Sequence, residues 1–398
     1  MKADNELTGG TNERIVLDFK HLPGGRNCMT SSLWKMLNHL GIKISEEMLM
    51  GIASGLGFIY WNMKQLPVPF VGGMNGGRFP TILGIAVDRL GGQWSVIKSS
   101  SLKRAHEQMK GVLSENIPAL VCVDIGFLDY LSMGEDDHFG MHTVLVSGVD
   151  EIKNEAYISD RFSTPITISL SSLQQARASK YHPFPAENKL MTVQMSGKLT
   201  PLEDIIPMAI RENAQFMLNP PISNMGIKGI LRWRKELQKY PKLMPNAKLL
   251  VQALCEHYVY IETGGSGGAL FRRMYSDFLA ESSTILRDKL VKNASLEYAR
   301  ISEAWSDLAK MLLPEDRPTL YEIREILWSY NKELEERGVD AFQDVREKAM
   351  RLMELYRLAE KEVTDFVGIL DPVLLQLELL HDMELETMQK LAKWSEGF

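Results

Sequence analysis

Three residues in the N-terminal half of the chain have the types and the order that cysteine-based acyl transfer needs. Cys28 follows a glycine-rich loop at the start of a predicted helix, where unpaired backbone N–H groups and the helix dipole favour a thiolate. His142 stands where a loop becomes a predicted strand, and an imidazole beside the thiol can take its proton and later return one. Asp160 follows one predicted hairpin later and can orient that ring. These residues form the predicted catalytic set.

Each of the three also has an ordinary structural explanation. A free cysteine is commonly a small buried apolar residue, a histidine can end a strand, and Asp160 can cap a turn before Arg161. Their order along a helix, a strand and the adjacent strand is what favours chemistry over these explanations.

The elements that must position these residues mix helix and strand patterns. Apolar spacing predicts a helix over 28–39, with Gly41 as its stop, and a second short helix after Ser45. The stretch GIASGLGFIYW predicts close backbone approach rather than a simple helix, and residues 67–80 are predicted as a loop before a helix at 81–90. Short β-rich runs predict antiparallel strands at 94–100, 119–127, 142–150, 155–161, 165–170 and 189–195.

Beyond about residue 200 the strand patterns end and amphipathic helix patterns begin. The predicted helices cover 202–217, 225–239, 246–262, 267–290, 294–312, 318–336 and 339–363, with one or two more to the end. The sequence therefore predicts an α+β fold, with an N-terminal domain over 1–198 that holds an antiparallel sheet and an all-α domain over 199–398.

Two long motifs resemble a known family. The segment NCMTSSLWKMLNHLGIKISEEMLMGIASGLGFIYW resembles the N-terminal domain of the butirosin biosynthesis protein H family, and TGGSGGALFRRMYSDFL resembles the helical domain that follows it there. The order of the cysteine, histidine and aspartate also resembles papain-like peptidases, in particular those that remove leaders from bacteriocin precursors. The resemblance implies a papain-like N-terminal domain in which Cys28 accepts an acyl group, His142 acts as acid and base, and Asp160 orients it.

The sequence departs from these relatives just before the cysteine. Leader-processing peptidases carry a glutamine there that helps to hold the oxyanion, and other members of the family often have histidine directly before the cysteine. This chain has Asn27 in that position and His21 further upstream, with no glutamine. Asn27 and His21 are therefore the candidate oxyanion donors.

Two glycine-rich segments supply candidate substrate-binding residues. Arg78 follows Gly76 and Gly77 in a predicted loop that could rim the site, although a solvated loop arginine is the simpler interpretation. The run from Glu262 to Gly268 leads into a helix and could pass over the cleft, but it lacks the lysine of a phosphate-binding loop. The candidates in this run and the helix after it are Glu262, Gly264, Gly265, Ser266 and Arg272.

Composition limits the classes of partner. The 398 residues carry a net charge of −6, which argues against a nucleic-acid surface, and three widely spaced cysteines cannot form a disulfide framework or a zinc site. No secretory signal and no membrane span are visible, so the sequence predicts a cytoplasmic protein. The acidic run at 135–138 is predicted to be a solvated loop, and no metal or cofactor is predicted. The amphipathic helices predict a homo-oligomer.

The expected function is amide-forming acyl transfer through an S-acyl Cys28 intermediate. The resemblance implies an acyl donor that is a carrier-protein or coenzyme A thioester and a small-molecule amine acceptor, in secondary metabolism. Two alternatives stay open at the level of sequence: an amidase or peptidase of the papain-like group, and a non-catalytic binding protein that retains the fold.

Overall fold

The computed structural model describes residues 13–75, 82–131, 138–244 and 246–398. The strands within these ranges are β1 (Arg14–Val16), β2 (Leu56–Trp61), β3 (Phe70–Met74), β4 (Gly92–Ile97), β5 (Ala119–Val123), β6 (His142–Asp150), β7 (Glu155–Ser159), β8 (Ile166–Ser169) and β9 (Leu190–Met195).

The helices of the N-terminal half lie between these strands, and further helices follow β9. They are α1 (Cys28–His39), α2 (Glu46–Ile52), α3 (Ile82–Arg89), α4 (Leu102–Ser114), α5 (Leu170–Ala178), α6 (Leu202–Leu218), α7 (Gly226–Leu237), α8 (Tyr240–Leu243) and α9 (Ala247–Tyr258). The long helices of the C-terminal part are α10 (Arg272–Leu286), α11 (Lys289–Leu312), α12 (Pro318–Arg337), α13 (Phe342–Glu362) and α14 (Phe366–Ser395).

The chain divides into two compact units that are not continuous in sequence. The sheet unit comprises the described residues of Met1–Ile44, together with Trp94–Gln194 and Leu334–Phe342; the helical unit comprises those of Ser45–Gln93, Met195–Glu333 and Gln343–Phe398. The domain boundary at 198/199 stays a prediction, and these units cut the chain differently, because residues 45–93 make their contacts among the helices.

The sheet unit is built on a sheet of seven strands in the described part of the chain. The strands run in the order β4-β9-β5-β6-β7-β8, with β1 paired to β6. The pairings of β5 with β6, β6 with β7 and β7 with β8 are antiparallel, and the hairpin of β6 and β7 places Leu145 opposite Ser159. The antiparallel sheet in the N-terminal region and the helical C-terminal region are as the sequence predicts.

Helix α1 packs against β6 and supplies one wall of the sheet unit's core. Its residues Leu33, Met36 and Leu37 are fully buried at helical spacing. The helix ends as predicted, since Gly41 adopts a φ of 82°, which glycine tolerates best, and Ile42 N–H donates to the Leu37 carbonyl at 2.8 Å. Helix α1 is therefore fixed at both its apolar face and its end.

The helical unit has an aromatic core that also includes the hairpin of β2 and β3. The rings of Trp233 and Trp305 lie parallel with centroids 6.3 Å apart, and Phe58 from β2 stacks on Trp305 at 5.9 Å. This hairpin differs from the loop predicted over 67–80. The prediction of close backbone approach is supported at Gly57, where an added Cβ would lie 2.6 Å from the Asn75 nitrogen.

Candidate active site

Cys28 is the first residue of α1, and Asn27 caps that helix. The Asn27 Oδ1 accepts hydrogen bonds from the Met29 N–H at 3.0 Å and the Thr30 N–H at 3.2 Å. These bonds satisfy two of the donors that every helix start leaves without an internal acceptor. The N–H of Cys28 is another donor of this first turn. Cys28 as a whole residue is partly exposed to solvent.

His142 opens β6 beside the start of α1. The hydroxyl of Ser32, one turn after Cys28, donates to the Thr143 carbonyl at 3.1 Å, and this bond ties the helix to the strand. The Cys28 thiol interacts with the His142 ring and with the Thr143 backbone, and both interactions lower the pKa of the thiol. The helix start and the strand start that the sequence predicts are thus brought together at the thiol and the imidazole.

Asp160 follows the last residue of β7 and completes the arrangement. Its Oδ2 lies 2.6 Å from the Nε2 of His142, and its Oδ1 accepts from the Arg161 N–H at 2.7 Å. Because Nε2 faces the carboxylate, Nδ1 is the ring nitrogen that remains for the thiol of Cys28. The exposed fractions of His142 and Asp160 are only 6% and 2%, so bulk water screens this chain of groups little.

The charges of the three groups favour the thiolate and imidazolium forms. Burial by itself would raise the pKa of the Cys28 thiol, but the hydrogen bond and charge of His142, with the Arg161 guanidinium, lower it. Burial opposes the charged form of His142 too, yet the Asp160 carboxylate and the Cys28 thiolate raise its pKa well above the usual imidazole value. Burial would raise the pKa of Asp160, but His142 and Arg161 lower it, so the carboxylate stays ionised.

The other two cysteines differ in kind from Cys28. Burial raises the pKa of the Cys122 thiol, in the centre of β5, to about 11. Burial raises the pKa of the Cys255 thiol, in α9, further still. Both side chains are buried, so near neutral pH Cys28 is the thiol that can act as a nucleophile.

The two predicted oxyanion donors have different surroundings. The Oδ1 of Asn27 serves the helix cap, and the oxyanion role of its side chain stays a prediction. Both ring nitrogens of His21 are engaged, Nδ1 with the Ser159 hydroxyl at 2.8 Å and Nε2 with the Phe162 carbonyl at 2.9 Å. Burial and the charge of Lys35 lower the His21 pKa, so its ring is neutral and holds the segment after β7.

The predicted substrate-binding residues of the glycine-rich run lie in the helical unit. Glu262 belongs to a π-helical turn (Val259–Thr263), and the buried hydroxyl of Ser266 donates to the Ile261 carbonyl at 2.7 Å. Gly264 and Gly265 continue this turn through backbone bonds to Val259 and Thr263. The structure engages Ser266 in local backbone bonding, and the binding roles of this run stay predictions. Arg78 lies outside the described residues.

Arg272 has a structural position instead of the predicted place near an entrance. Its side chain is fully buried and forms a two-pronged ion pair with Glu384, with N–O distances of 2.8 and 3.0 Å. The remaining guanidinium nitrogen donates to the carbonyls of Gly57 and Leu270, both at 2.8 Å. All three nitrogens are satisfied by the protein, so the substrate-binding prediction for Arg272 is corrected to a core ion pair.

Three further residues around Asp160 were not singled out by the sequence analysis as site residues. The Tyr130 hydroxyl donates to the Asp160 Oδ2 at 3.1 Å, and the buried Lys35 ammonium donates to the Asp160 backbone carbonyl. Arg161 contributes its N–H and its positive charge. Lys35 was detectable in principle, because it lies seven residues after Cys28 and therefore on the same face of α1 as the nucleophile. Tyr130 stands in no motif.

Neither metal clusters nor membrane helices are found in the part of the chain that the structure describes. No group of three or more histidine, cysteine, aspartate or glutamate side chains there could hold a metal ion. None of the helices described combines the length and the apolar character needed to cross a membrane.

Comparison with protein families agrees with the motifs. The family model of the N-terminal domain of butirosin biosynthesis protein H matches residues 27–161, and a domain of unknown function, DUF4872, matches residues 171–342. No curated protein matches this chain. The first match contains Cys28, His142 and Asp160. Over residues 27–161 this chain is therefore similar to the N-terminal domain of the butirosin biosynthesis protein H family.

Proposed function

We propose that this protein is a cysteine-dependent acyltransferase of biosynthesis, with Cys28 as nucleophile, His142 as acid and base, and Asp160 as the group that orients the imidazole. The observation that carries the proposal is the contact of 2.6 Å between the His142 Nε2 and the Asp160 Oδ2, with the interacting Cys28 thiol at the start of a helix that packs on an antiparallel sheet. This arrangement supports a papain-like origin for the sheet unit. The family match supports a biosynthetic enzyme, because the model is named for a butirosin biosynthesis protein.

The first half of the reaction transfers the acyl group to the enzyme. The Cys28 thiolate attacks the carbonyl carbon of a thioester, and the carbonyl oxygen becomes an oxyanion. Collapse of this intermediate breaks the bond between the carbonyl carbon and the carrier sulfur. The His142 imidazolium gives its proton to the departing thiolate, which leaves an S-acyl Cys28 and a neutral imidazole.

The oxyanion of both half-reactions needs donors close to the thiol. The Cys28 backbone N–H belongs to the first turn of α1, where the helix dipole also favours negative charge. As a second donor we propose Asn27, which directly precedes Cys28 and caps the same helix. Asn27 would then take the part that glutamine has in the leader-processing peptidases.

The second half of the reaction releases the product. An amine attacks the S-acyl carbonyl while the neutral His142 takes a proton from its nitrogen. The bond from the carbonyl carbon to Cys28 breaks, its electron pair returns to sulfur, and the starting ion pair is restored. The acyl donor we propose is a carrier-protein or coenzyme A thioester, and the acceptor is a small-molecule amine.

The experiment follows the fate of the acyl group. Wild-type protein is incubated with a panel of acyl-pantetheine thioesters and a set of primary amines, and amide and free acid are measured by mass spectrometry. We expect amide formation that Cys28→Ala abolishes and that Cys255→Ala retains, since Cys255 is buried and its thiol is protonated. Circular dichroism and thermal unfolding confirm that both variants keep the fold.

The same assay separates the alternatives. Free acid without amide, dependent on Cys28, would assign a hydrolase of the amidase or peptidase type. Thioester loss that persists in Cys28→Ala would remove Cys28 from the mechanism. An inert wild-type protein with an ordinary thiol pKa at Cys28 would favour a binding protein that retains the fold.

A further inference from the structure

Tyr130 shares the oxygen of Asp160 on which His142 depends. The Oδ2 of Asp160 accepts from the Tyr130 hydroxyl at 3.1 Å and lies 2.6 Å from the His142 Nε2. Tyr130 is 4% exposed, and burial together with the Asp160 charge raises its pKa well above the usual phenol value. The phenol therefore remains a neutral donor over the whole pH range in which the thiol and imidazole ionise.

The ring of Tyr130 is held by aromatic contacts on two sides. Phe162 meets it edge-on with centroids 5.7 Å apart, and Phe342 lies nearly parallel to it at 6.5 Å and 13°. Aromatic contacts of this kind restrict the orientation of a ring through close packing and through the attraction between ring edges and ring faces. The direction of the Tyr130 hydroxyl is therefore set by the packing of its ring. Tyr130 is thus a rigid donor with one acceptor, and that acceptor is the Asp160 carboxylate.

Phe342 ends the segment Leu334–Phe342, which belongs to the sheet unit although its neighbours in sequence belong to the helical unit. Glu335 in this segment pairs with Arg161 at 3.3 Å, and its backbone carbonyl accepts from the Ser163 N–H at 2.9 Å. The segment is therefore bonded to Arg161 and Ser163, which follow Asp160 in sequence. This attachment fixes Phe342 against Tyr130.

We infer that Tyr130 is a positioning residue of the site, held between Phe162 and Phe342, which fixes the Asp160 carboxylate on His142 and moderates its pull on the imidazolium. This inference rests on the proposed function, because it assigns a role in the same site. Among the described residues, Asp160 is also supported by the Arg161 N–H on Oδ1 and by the Lys35 ammonium on its backbone carbonyl. Tyr130 is the side chain that touches the same oxygen as His142.

The test is Tyr130→Phe, which keeps the ring and its aromatic contacts and removes only the hydroxyl. Without this donor, more of the carboxylate charge faces the imidazolium, so its deprotonation moves to higher pH. In the pH profile of Cys28 alkylation by iodoacetamide, we expect the midpoint of the alkaline transition, its upper limb, to move to a pH higher by about 0.5 to 1 unit. This is the size of an ordinary environmental pKa shift. Intact-protein and peptide mass spectrometry give the rates at each pH.

The matched control is Tyr157→Phe. The Tyr157 hydroxyl donates to Glu155 at 2.8 Å, so this variant also loses a tyrosine–carboxylate bond but leaves the site untouched. An unchanged upper limb in Tyr130→Phe, or an equal shift in Tyr157→Phe, would overturn the inference. Its failure is distinguishable from that of the proposed function, because the latter would show as an ordinary thiol profile in the wild-type protein itself.

Discussion

Replacing Asp160 by asparagine tests the chain of hydrogen bonds with a change of one atom. The carboxylate faces donors at both oxygens: the His142 Nε2 and the Tyr130 hydroxyl at Oδ2, and the Arg161 N–H at Oδ1. An asparagine must place its NH₂ group against one of these donors. If NH₂ faces His142, the ring has to accept there and carry its proton on Nδ1, where it can no longer take the proton of Cys28.

The structure sets the expected size of this effect. A hydrogen bond to a charged group contributes about 1.5–3 kcal/mol, and about 1.36 kcal/mol corresponds to one pKa unit. The pKa of His142 should therefore fall by about one to two units, and Asp160 is too buried for water to compensate. In a serine triad the wrong histidine tautomer lowers kcat by about 10⁴-fold. With this effect included, we expect acylation of Cys28 in Asp160→Asn to slow by about 10²- to 10⁴-fold.

The assay is single-turnover acylation by an acyl-pantetheine thioester, with the alkylation profile of Cys28 as a substrate-free readout. Asp129→Asn is the matched control, since Asp129 is exposed and lies in the same unit. We expect the control to behave as wild type, while Asp160→Asn moves the thiol midpoint towards the ordinary value of about 8.5. Wild-type rates and an unchanged midpoint in Asp160→Asn would refute the proposed role of the carboxylate.

Three further predictions concern pH, the core and the helix cap. Turnover against pH should be bell-shaped. With increasing pH it should rise at a pH below the ordinary thiol pKa, because the pKa of Cys28 is lowered, and fall at a pH above the ordinary imidazole pKa, because the pKa of His142 is raised. A profile with a single limb would contradict this. Glu384→Gln should lower the free energy of unfolding by about 3–5 kcal/mol in urea titrations, because it leaves a buried guanidinium unpaired, whereas Glu386→Gln on the same helix should change it by less than about 1 kcal/mol; equal effects would argue against a buried pair. Asn27→Ala should lower the free energy of unfolding by about 1 kcal/mol through the lost cap. A fall in the acylation rate that corresponds to more than about 1 kcal/mol would add an oxyanion role.

The elements that hold Cys28, His142 and Asp160 could be predicted because each residue carries a local signal, and the catalytic roles of the three stay a proposal. Cys28 follows a glycine-rich loop and opens a helix, His142 begins a run of β-branched residues, and Asp160 ends a short strand one hairpin later. Strand β6 has the bounds that the apolar run predicts, from His142 to Asp150. These local patterns predict where the elements begin. The antiparallel hairpin of β6 and β7 then brings the side chains of His142 and Asp160 together.

Contacts between residues far apart in sequence and outside any motif could not be predicted, either at the site or in the core of the helical unit. Tyr130 precedes Asp160 by 30 positions and lies outside any strand or helix. The Arg272–Glu384 pair joins residues 112 positions apart, and nothing local in either helix shows that the arginine is buried.

The hairpin of β2 and β3 illustrates a different limit. Its second strand, FVGGM, contains two adjacent glycines, which weaken the β pattern and favour a loop interpretation. The structure needs the glycine at position 73, because an added Cβ would lie 2.3 Å from the Leu270 carbonyl oxygen. The glycines thus reflect packing between segments far apart in sequence.

The most direct test of the account is the pH dependence of Cys28 alkylation in the wild-type protein, resolved by peptide mass spectrometry. The account predicts a midpoint well below the ordinary thiol value of about 8.5, with Cys122 and Cys255 unreactive in the same sample. A Cys28 midpoint near that ordinary value would contradict the thiolate–imidazolium pair and, with it, the proposed acyl transfer.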